Sequence, residues 1–317
     1  MVNIIRQVLV TGGAGFIGSH SVELLLAQGF RVRVLDNLSS GSLDNLPNHD
    51  RLEVIKGDIR DAECVRSAIQ GMSHCLHLAA QVSVSRSVED PVASAEQNII
   101  GAVTVMQAAA EAGITRLVYA SSAAVYGIPT QLPIFEKSSA APLSPYGLEK
   151  WVDERYATLF ESIHGLSSLG LRYFNVYGPR QDPHSPYAGV IARFLDCLLD
   201  HRSPTLFGDG RQTRDFVYVG DVARANLAAL LGHQQGVCNV ATGQRIDLLE
   251  LLDLLADLTD CHLHVSQQPP RSEDIRDSWG DTQRLSAWLG ITPDWTLKEG
   301  LAALVAEARR RRHLASA

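Results

Sequence analysis

Short runs of β-branched and aliphatic residues alternate, through the first half of the chain, with longer stretches whose apolar positions recur every three or four residues. Residues 8–11, 31–35, 52–56, 75–79 and 117–120 carry the strand pattern. Residues 17–28, 62–69 and 94–112 carry the helical one, the first of these closed by Gly29. Strands alternating with helices predict right-handed βαβ units, and so a parallel sheet covered on both faces. The fold class is therefore α/β, a Rossmann-like doubly wound parallel sheet, over residues 1 to about 174.

The second half is less regular. Residues 178–186 and 269–274 read as polar loops, 187–200 and 248–258 as helices, and a last helix begins near Lys298. A smaller C-terminal α/β domain for substrate, mainly residues 175–317, is the economical reading. The segment 221–241 is a candidate to return to the sheet.

Composition narrows the function. At 45% hydrophobic and 20% charged residues the chain is an ordinary globular one. A net charge of -7 leaves no broad basic surface for nucleic acid. The basic run Arg309 to Arg312 reads as a solvated helix end. Five widely spaced cysteines (Cys64, Cys75, Cys197, Cys238 and Cys261) form no CxxC pair, so neither a metal site nor a disulfide framework is expected. The chain enters a strand almost at once, without a charged-then-apolar leader, and no apolar run approaches the roughly 18 residues that span a bilayer. A cytoplasmic protein that touches no membrane is expected.

Candidate chemistry begins directly after the first strand. Thr11-Gly12-Gly13-Ala14-Gly15-Phe16-Ile17-Gly18 opens the first helix. Glycines 12, 15 and 18 allow a tight turn, close approach of a pyrophosphate and close helix packing. Asp36 ends the second strand 24 residues after Gly12, where a carboxylate can accept from adenosine ribose hydroxyls. The same charge repels a 2′-phosphate, which favours NAD over NADP. Asp58 and Ile59, after the third strand, suit the adenine end.

Tyr146 and Lys150 lie four residues apart and share a face if their stretch is helical. A tyrosine is a poor base at neutral pH, but a nearby ammonium favours its phenolate. It could then take a hydroxyl proton while hydride leaves the same carbon. Ser122, at the carboxyl end of the strand 117–120, could hydrogen-bond the reacting oxygen.

These motifs, with LDN at 35–37, GDI at 57–59, HLAA at 77–80, SPYGLEK at 144–150, LRYFNVYGPR at 171–180 and FGDGRQTRDFVYVGDV at 207–222, resemble the extended short-chain dehydrogenases over nearly the whole chain. Within that superfamily the chain is most similar to UDP-sugar 4-epimerases, particularly those handling UDP-N-acetylhexosamines. The resemblance implies Ser122, Tyr146 and Lys150 as catalytic residues. It implies cofactor contacts from Gly12, Gly15, Phe16, Ile17 and Gly18, from Asp36, Asn37, Asp58 and Ile59, and from Ala79, Ala80, Gln81, Asn98 and Tyr173, besides Tyr146 and Lys150. Nucleotide-sugar contacts fall on Ser83, Ser122, Asn175, Val190, Arg214, Arg271 and Ser278. An arginine can bind a diphosphate through paired donors.

The resemblance also separates reactions. Sugar-nucleotide 4,6-dehydratases place Asp-Glu just after the catalytic hydroxyl residue, and UDP-glucuronate decarboxylases carry a glutamate nearby. Here those positions are Ala123 and Ala124, which move no protons, and reversible oxidation at C4 remains. Ser278 falls beside the sugar C2 substituent, where galactose-restricted epimerases carry a bulky tyrosine, so an N-acetyl group has room. Val82 departs from the glycine expected of N-acetyl-preferring enzymes. UDP-N-acetylglucosamine/N-acetylgalactosamine is the expected substrate pair, with UDP-glucose/galactose beside it. UDP-glucuronate 4-epimerisation, another nucleotide-sugar oxidoreduction and a non-catalytic sensor on the same fold are the alternatives. Similar enzymes pair two helices per subunit, and the apolar faces of 94–112 and 146–164 are candidates for such a homodimer.

Overall fold

The computed structural model describes residues 6–182, 189–261, 265–270 and 275–315. The first half runs β1 (Gln7–Thr11), α1 (Phe16–Ala27), β2 (Arg31–Asp36), β3 (Leu52–Lys56), α2 (Ala62–Ile69), β4 (His74–His77), α3 (Val84–Glu89), α4 (Pro91–Ala95), α5 (Gly101–Glu111), β5 (Arg116–Ser122) and α6 (Pro145–His164). There follow β6 (Ser168–Tyr173), β7 (Asn175–Tyr177), α7 (Val190–Leu199), β8 (Thr205–Phe207), β9 (Thr213–Arg214), β10 (Phe216–Tyr218), α8 (Val219–Leu231) and β11 (Gly236–Val240). The chain closes with β12 (Ile246–Asp247), α9 (Leu248–Thr259), β13 (Ser266–Gln268), β14 (Asp277–Ser278), α10 (Gln283–Leu289) and α11 (Leu297–Ala315).

Seven parallel strands form the central sheet in the order β11-β6-β5-β4-β1-β2-β3. Alternation within the strands builds two cores. Val8 and Val10 of β1 turn to one face, where Val22 and Leu25 of α1 meet Val222 and Ala225 of α8. Leu9 turns to the other, with Ile69 of α2, Val105 and Met106 of α5 and Phe160 of α6. The order reverses between β1 and β4, and a parallel sheet binds its ligand in the crevice that opens at such a switch point.

The pattern-based reading needs several adjustments. The stretch expected as one helix over 94–112 is interrupted by a five-residue π turn, Glu96–Ile100, between α4 and α5. This wide turn holds Asn98 buried. Among the elements that went unread are α3, α10, the short strands of the second half, and β6, whose Ser, Gly and Arg residues do not look like core. All six β6 residues are nevertheless buried, because Arg172 finds a carboxylate inside. In the segment 221–241, α8 covers the sheet face and β11 joins the sheet edge beside β6.

A third core lies beyond the sheet. Phe194 and Leu198 of α7, Leu251 and Leu255 of α9 and Leu301 and Val305 of α11 surround Tyr177, Phe216 and Tyr218. Three small sheets, β7–β10, β12–β9–β14 and β8–β13, stitch this part together.

Candidate active site

The glycine turn sits at the carboxyl end of β1. Gly12 takes a left-handed backbone (φ +70°), and its N–H donates to the Leu35 carbonyl at 2.9 Å. A Cβ on Gly18 would lie 2.0 Å from the Gly12 carbonyl oxygen, so only glycine lets α1 start this close to the turn. Helix α1 has no side-chain cap and no acidic residue in its first turn. Its first N–H groups and the positive dipole end therefore face outward for an anion. Asp36, buried at the end of β2, accepts from Ala14 N at 3.0 Å and Leu38 N at 2.8 Å, which fixes its carboxylate beside the turn. At the neighbouring strand end Asn37 donates to Asp58 at 3.1 Å. The Arg60 guanidinium, the first of several donors, holds the Asp58 carboxyl well below its usual range. Ile59 is buried beside it.

The end of β4 is held against this turn. Thr11 Oγ1 lies 2.7 Å from His77 Nδ1 and accepts from Ala79 N at 3.3 Å. Burial first, and Lys150 second, pushes His77 down to about 3, so it is a neutral imidazole at physiological pH. The next residues are pinned from α4 and the π turn. Asn98 accepts from Gln81 N at 2.8 Å and donates to Gln81 O at 2.9 Å and to Glu149. Gln81 donates through Nε2 to Ser83 O and Ser94 Oγ, and Ser83 caps α3 by accepting from Arg86 N. The amides of Gln81 and Asn98 thus shape the 79–83 loop from within.

Helix α6 starts as its sequence dictates, with Ser144 as N-cap bonded to Gly147 N at 3.2 Å and Pro145 in the first turn. A Cβ on Gly147 would lie 2.7 Å from the Ala124 carbonyl oxygen, so its absence lets the helix abut the turn that follows β5. Ser122 caps that turn, accepting from Ala124 N at 3.1 Å. Tyr146, half-buried, donates its backbone N–H to Ser87 Oγ at 3.1 Å. One turn along α6, Lys150 is buried, with Nζ 3.2 Å from Asp153 Oδ2. Burial works to lower the lysine pKa, but Asp153 and then Tyr146 outweigh it, and the net shift is upward. Lys150 is therefore an ammonium throughout the physiological range.

The residues expected to meet the nucleotide sugar lie mostly on the small sheets. Arg214 of β9 sits opposite Ser278 of β14, and its Nη1 donates to the carbonyls of Thr213 and Ile275. Asn175 begins β7 and donates through Nδ2 to Asp215 O at 3.1 Å. Val190 is the first residue of α7. Ser83 is buried in the 79–83 loop. Arg271 lies outside the described residues. Tyr173 is buried and its hydroxyl donates to Asn226 Oδ1 at 2.6 Å, and burial pushes the phenol up.

Sequence reasoning missed three supports. Asn226 receives Tyr173 and donates to Ser21 on α1. Asp215, buried, gathers Thr242 N and Oγ1, Gly243 N and Gly280 N onto its carboxylate. Glu149 joins α4, the π turn and α6. Glu149 and Asp215 stand inside quoted motifs, but nothing in those motifs reports their partners, which only the fold brings near.

Comparison with known proteins decides the family. The model of the NAD dependent epimerase/dehydratase family matches residues 8–241. The chain belongs to that family. Among its members, the UDP-glucose 4-epimerase of Mycolicibacterium smegmatis is 41% identical over 307 residues, 94% of this chain and 97% of that one. A UDP-N-acetylglucosamine 4-epimerase from Methanobrevibacter ruminantium, solved with UDP-N-acetylmuramic acid, superposes with a TM-score of 0.94 at 37% identity, over 97% of this chain and 99% of that one. The Thermus thermophilus UDP-glucose 4-epimerase, solved with NAD, gives 0.90 at 40% identity, over 96% and 99%. The glycine turn, the uncapped start of α1 and the fixed Asp36 all lie within the matched residues.

Proposed function

We propose that this protein is an NAD-dependent UDP-sugar 4-epimerase that interconverts UDP-N-acetylglucosamine with UDP-N-acetylgalactosamine, and UDP-glucose with UDP-galactose. The observation that carries this reading is that Gly147 lets the start of α6, with Tyr146 and the buried ammonium of Lys150, abut the turn that Ser122 caps at the carboxyl end of β5, with alanines at 123 and 124. That set can move one hydroxyl proton, and the two positions after Ser122, as alanines, offer no acid or base for elimination.

Gly12, Gly15, Phe16, Ile17 and Gly18 would hold the pyrophosphate of NAD, and Asp36 and Asn37 its adenosine ribose. Asp58 and Ile59 would border the adenine, with Ala79, Ala80 and Tyr173 along the remainder; Gln81 and Asn98 shape that wall. NAD when bound supplies reversible acceptance of a hydride from the sugar C4. Tyr146 takes the proton of the 4-hydroxyl, with Ser122 hydrogen-bonded to the same oxygen, while the Lys150 charge favours the phenolate. The 4-keto sugar would then turn on its diphosphate, for which Arg214 and Arg271 are the proposed holders, so that hydride returns to the opposite face of C4 while Tyr146 gives the proton back to the 4-oxygen. Asn175, Val190, Ser83 and Ser278 border the sugar nucleotide, and Ser278 leaves room for an N-acetyl group.

Exposed apolar side chains support a homodimer. Leu148, Leu159 (52% exposed) and Ile163 (69%) line one stripe of α6, and Ile100 and Val92 (70%) are bare on the neighbouring segments. The five free thiols fit a reducing cytoplasm, and no helix among the described residues is long and apolar enough to cross a membrane.

The deciding experiment incubates the purified protein, without added NAD, with UDP-N-acetylglucosamine and separately with UDP-glucose. The 4-epimer is the expected product of each, and the rate ratio reads Ser278. A 6-deoxy-4-keto sugar or released carbon dioxide would sink the proposal.

A further inference from the structure

Behind Lys150, helix α6 buries three acids, Glu149, Asp153 and Glu154, each no more than 3% exposed. A buried charge persists only with a partner. Glu154 has Arg172, at 2.6 Å and 2.7 Å through two nitrogens. The remaining groups facing Asp153 are quickly sorted. From β4, His77 is kept neutral by burial, and from β5, burial keeps the Tyr119 phenol neutral. Arg172 of β6 is committed to Glu154, and Arg155 is turned outward over Trp151, 4.0 Å from Glu154. Tyr146 lies on the far side of Lys150, one turn back along α6. One ammonium is left between two carboxyls.

The hydrogen bonds show the imbalance directly. Glu149 Oε2 takes Ser94 and Asn98, and Asp153 Oδ2 takes Lys150. Glu149 Oε1 and Asp153 Oδ1 are buried and have no partner. The two residues are four apart on one helix, hence neighbours on one face. Two carboxyls so placed, each with an idle oxygen, are satisfied by a single proton held between them, as paired buried acids generally are.

We propose that Asp153 is a positioning residue that acts through Lys150: as a carboxylate it grips the ammonium, and on taking up a proton shared with Glu149 it lets go. The inference rests on the epimerase reading for the role of Lys150. Burial, the largest influence, raises the Asp153 carboxyl to about 6; Lys150 pulls it down and Glu149 adds to the rise. The grip is therefore present above about pH 6 and lost below it, and the proton comes from solvent.

The test pairs pH profiles with infrared titration of the intact, NAD-loaded protein. Wild-type kcat should fall as pH drops through about 6, with KM unchanged. Asp153→Asn should abolish that limb and lower kcat at pH 8 by about tenfold, the scale of one ionic hydrogen bond. Glu149→Gln, which removes the like charge, should move the limb to lower pH. In the infrared, the band of a buried protonated carboxyl should vanish in the wild type as pH rises through the same range. It should be absent in Asp153→Asn and shifted to higher pH in Lys150→Met. An unchanged limb in Asp153→Asn, or a band indifferent to Lys150→Met, overturns the proposal. If the wild type turns over no UDP-sugar, the epimerase reading fails on its own, and the Lys150→Met shift still decides whether Asp153 and Lys150 are coupled.

Discussion

Replacing Glu154 by glutamine tests the packing behind the site. Glu154 is wholly buried, accepts from Arg172 Nε and Nη2 at 2.7 and 2.6 Å, and takes the Ser121 hydroxyl at 2.7 Å. The guanidinium also donates to Glu136 O and lies 4.7 Å from the Tyr126 ring. Glutamine keeps the volume but leaves the Arg172 charge buried without a counter-ion, which costs about 3–5 kcal/mol. At an unfolding entropy of ~2.1 cal/mol/K per residue, a chain of 317 residues loses about 1.5 °C per kcal/mol. The melting temperature should therefore fall by roughly 5–8 °C. Circular dichroism melts at pH 7 read it, and the drop should persist in high salt because the pair is dry. Adding Arg172→Met to Glu154→Gln removes the stranded charge, while the amide oxygen still accepts from Ser121. The double variant should regain at least half of the loss. A single variant that melts within about 1 °C of the wild type, or a double variant worse than the single, would refute the reasoning.

Three further outcomes follow from the site. Tyr146→Phe should abolish epimerisation yet keep NAD bound, read as product formation and as nicotinamide released on denaturation; an unchanged rate removes the catalytic assignment. Gly18→Ala forces a methyl to 2.0 Å from the Gly12 carbonyl and should yield folded protein purified without cofactor, measured by absorbance of the released nucleotide. His77, held at about 3 in the fold, binds a proton only after unfolding between that value and its ordinary 6.5. Its share of stability is thus intact above pH 6.5 and erodes as pH falls, by up to about 1.4 kcal/mol per unit. His77→Asn, which can still accept from Thr11, should flatten the urea midpoint between pH 6.5 and 4.5; parallel slopes would contradict this.

The sheet was legible first at β1, which is buried on both faces, so Val8-Leu9-Val10 announces itself. Strand β6 did not, because Arg172 reads as surface until Glu154, 18 positions earlier, is known to meet it. The glycine turn, Asp36 and the Tyr146/Lys150 spacing are local and were read directly. The π turn was not. Residues 96–100 keep helical periodicity in sequence, and what widens the backbone there is company: Gln81 and Glu149, from distant segments, both hold Asn98. Asp153 was passed over as one more acid on a helix. Its weight comes from burial beside Lys150, which no spacing rule reports.

Strand β11 carries a lesson for anyone dividing this protein into parts. Residues 174–235, which include the Arg214 strand, leave the sheet and are bracketed by two adjacent strands of it, since Gly236–Val240 docks parallel to Ser168–Tyr173. A fragment ending after Tyr173 would bare the backbone of β6 along its length and lose Ala225 and Ala229 of α8 from the core, an invitation to aggregate. Exchanging the lobe around Tyr177 and Phe216 therefore takes more than one pair of cuts, because α7 comes from the excursion while α9 and α11 follow β11. During synthesis the seven-stranded sheet must likewise wait, its edge unfinished, for residues made more than sixty positions later.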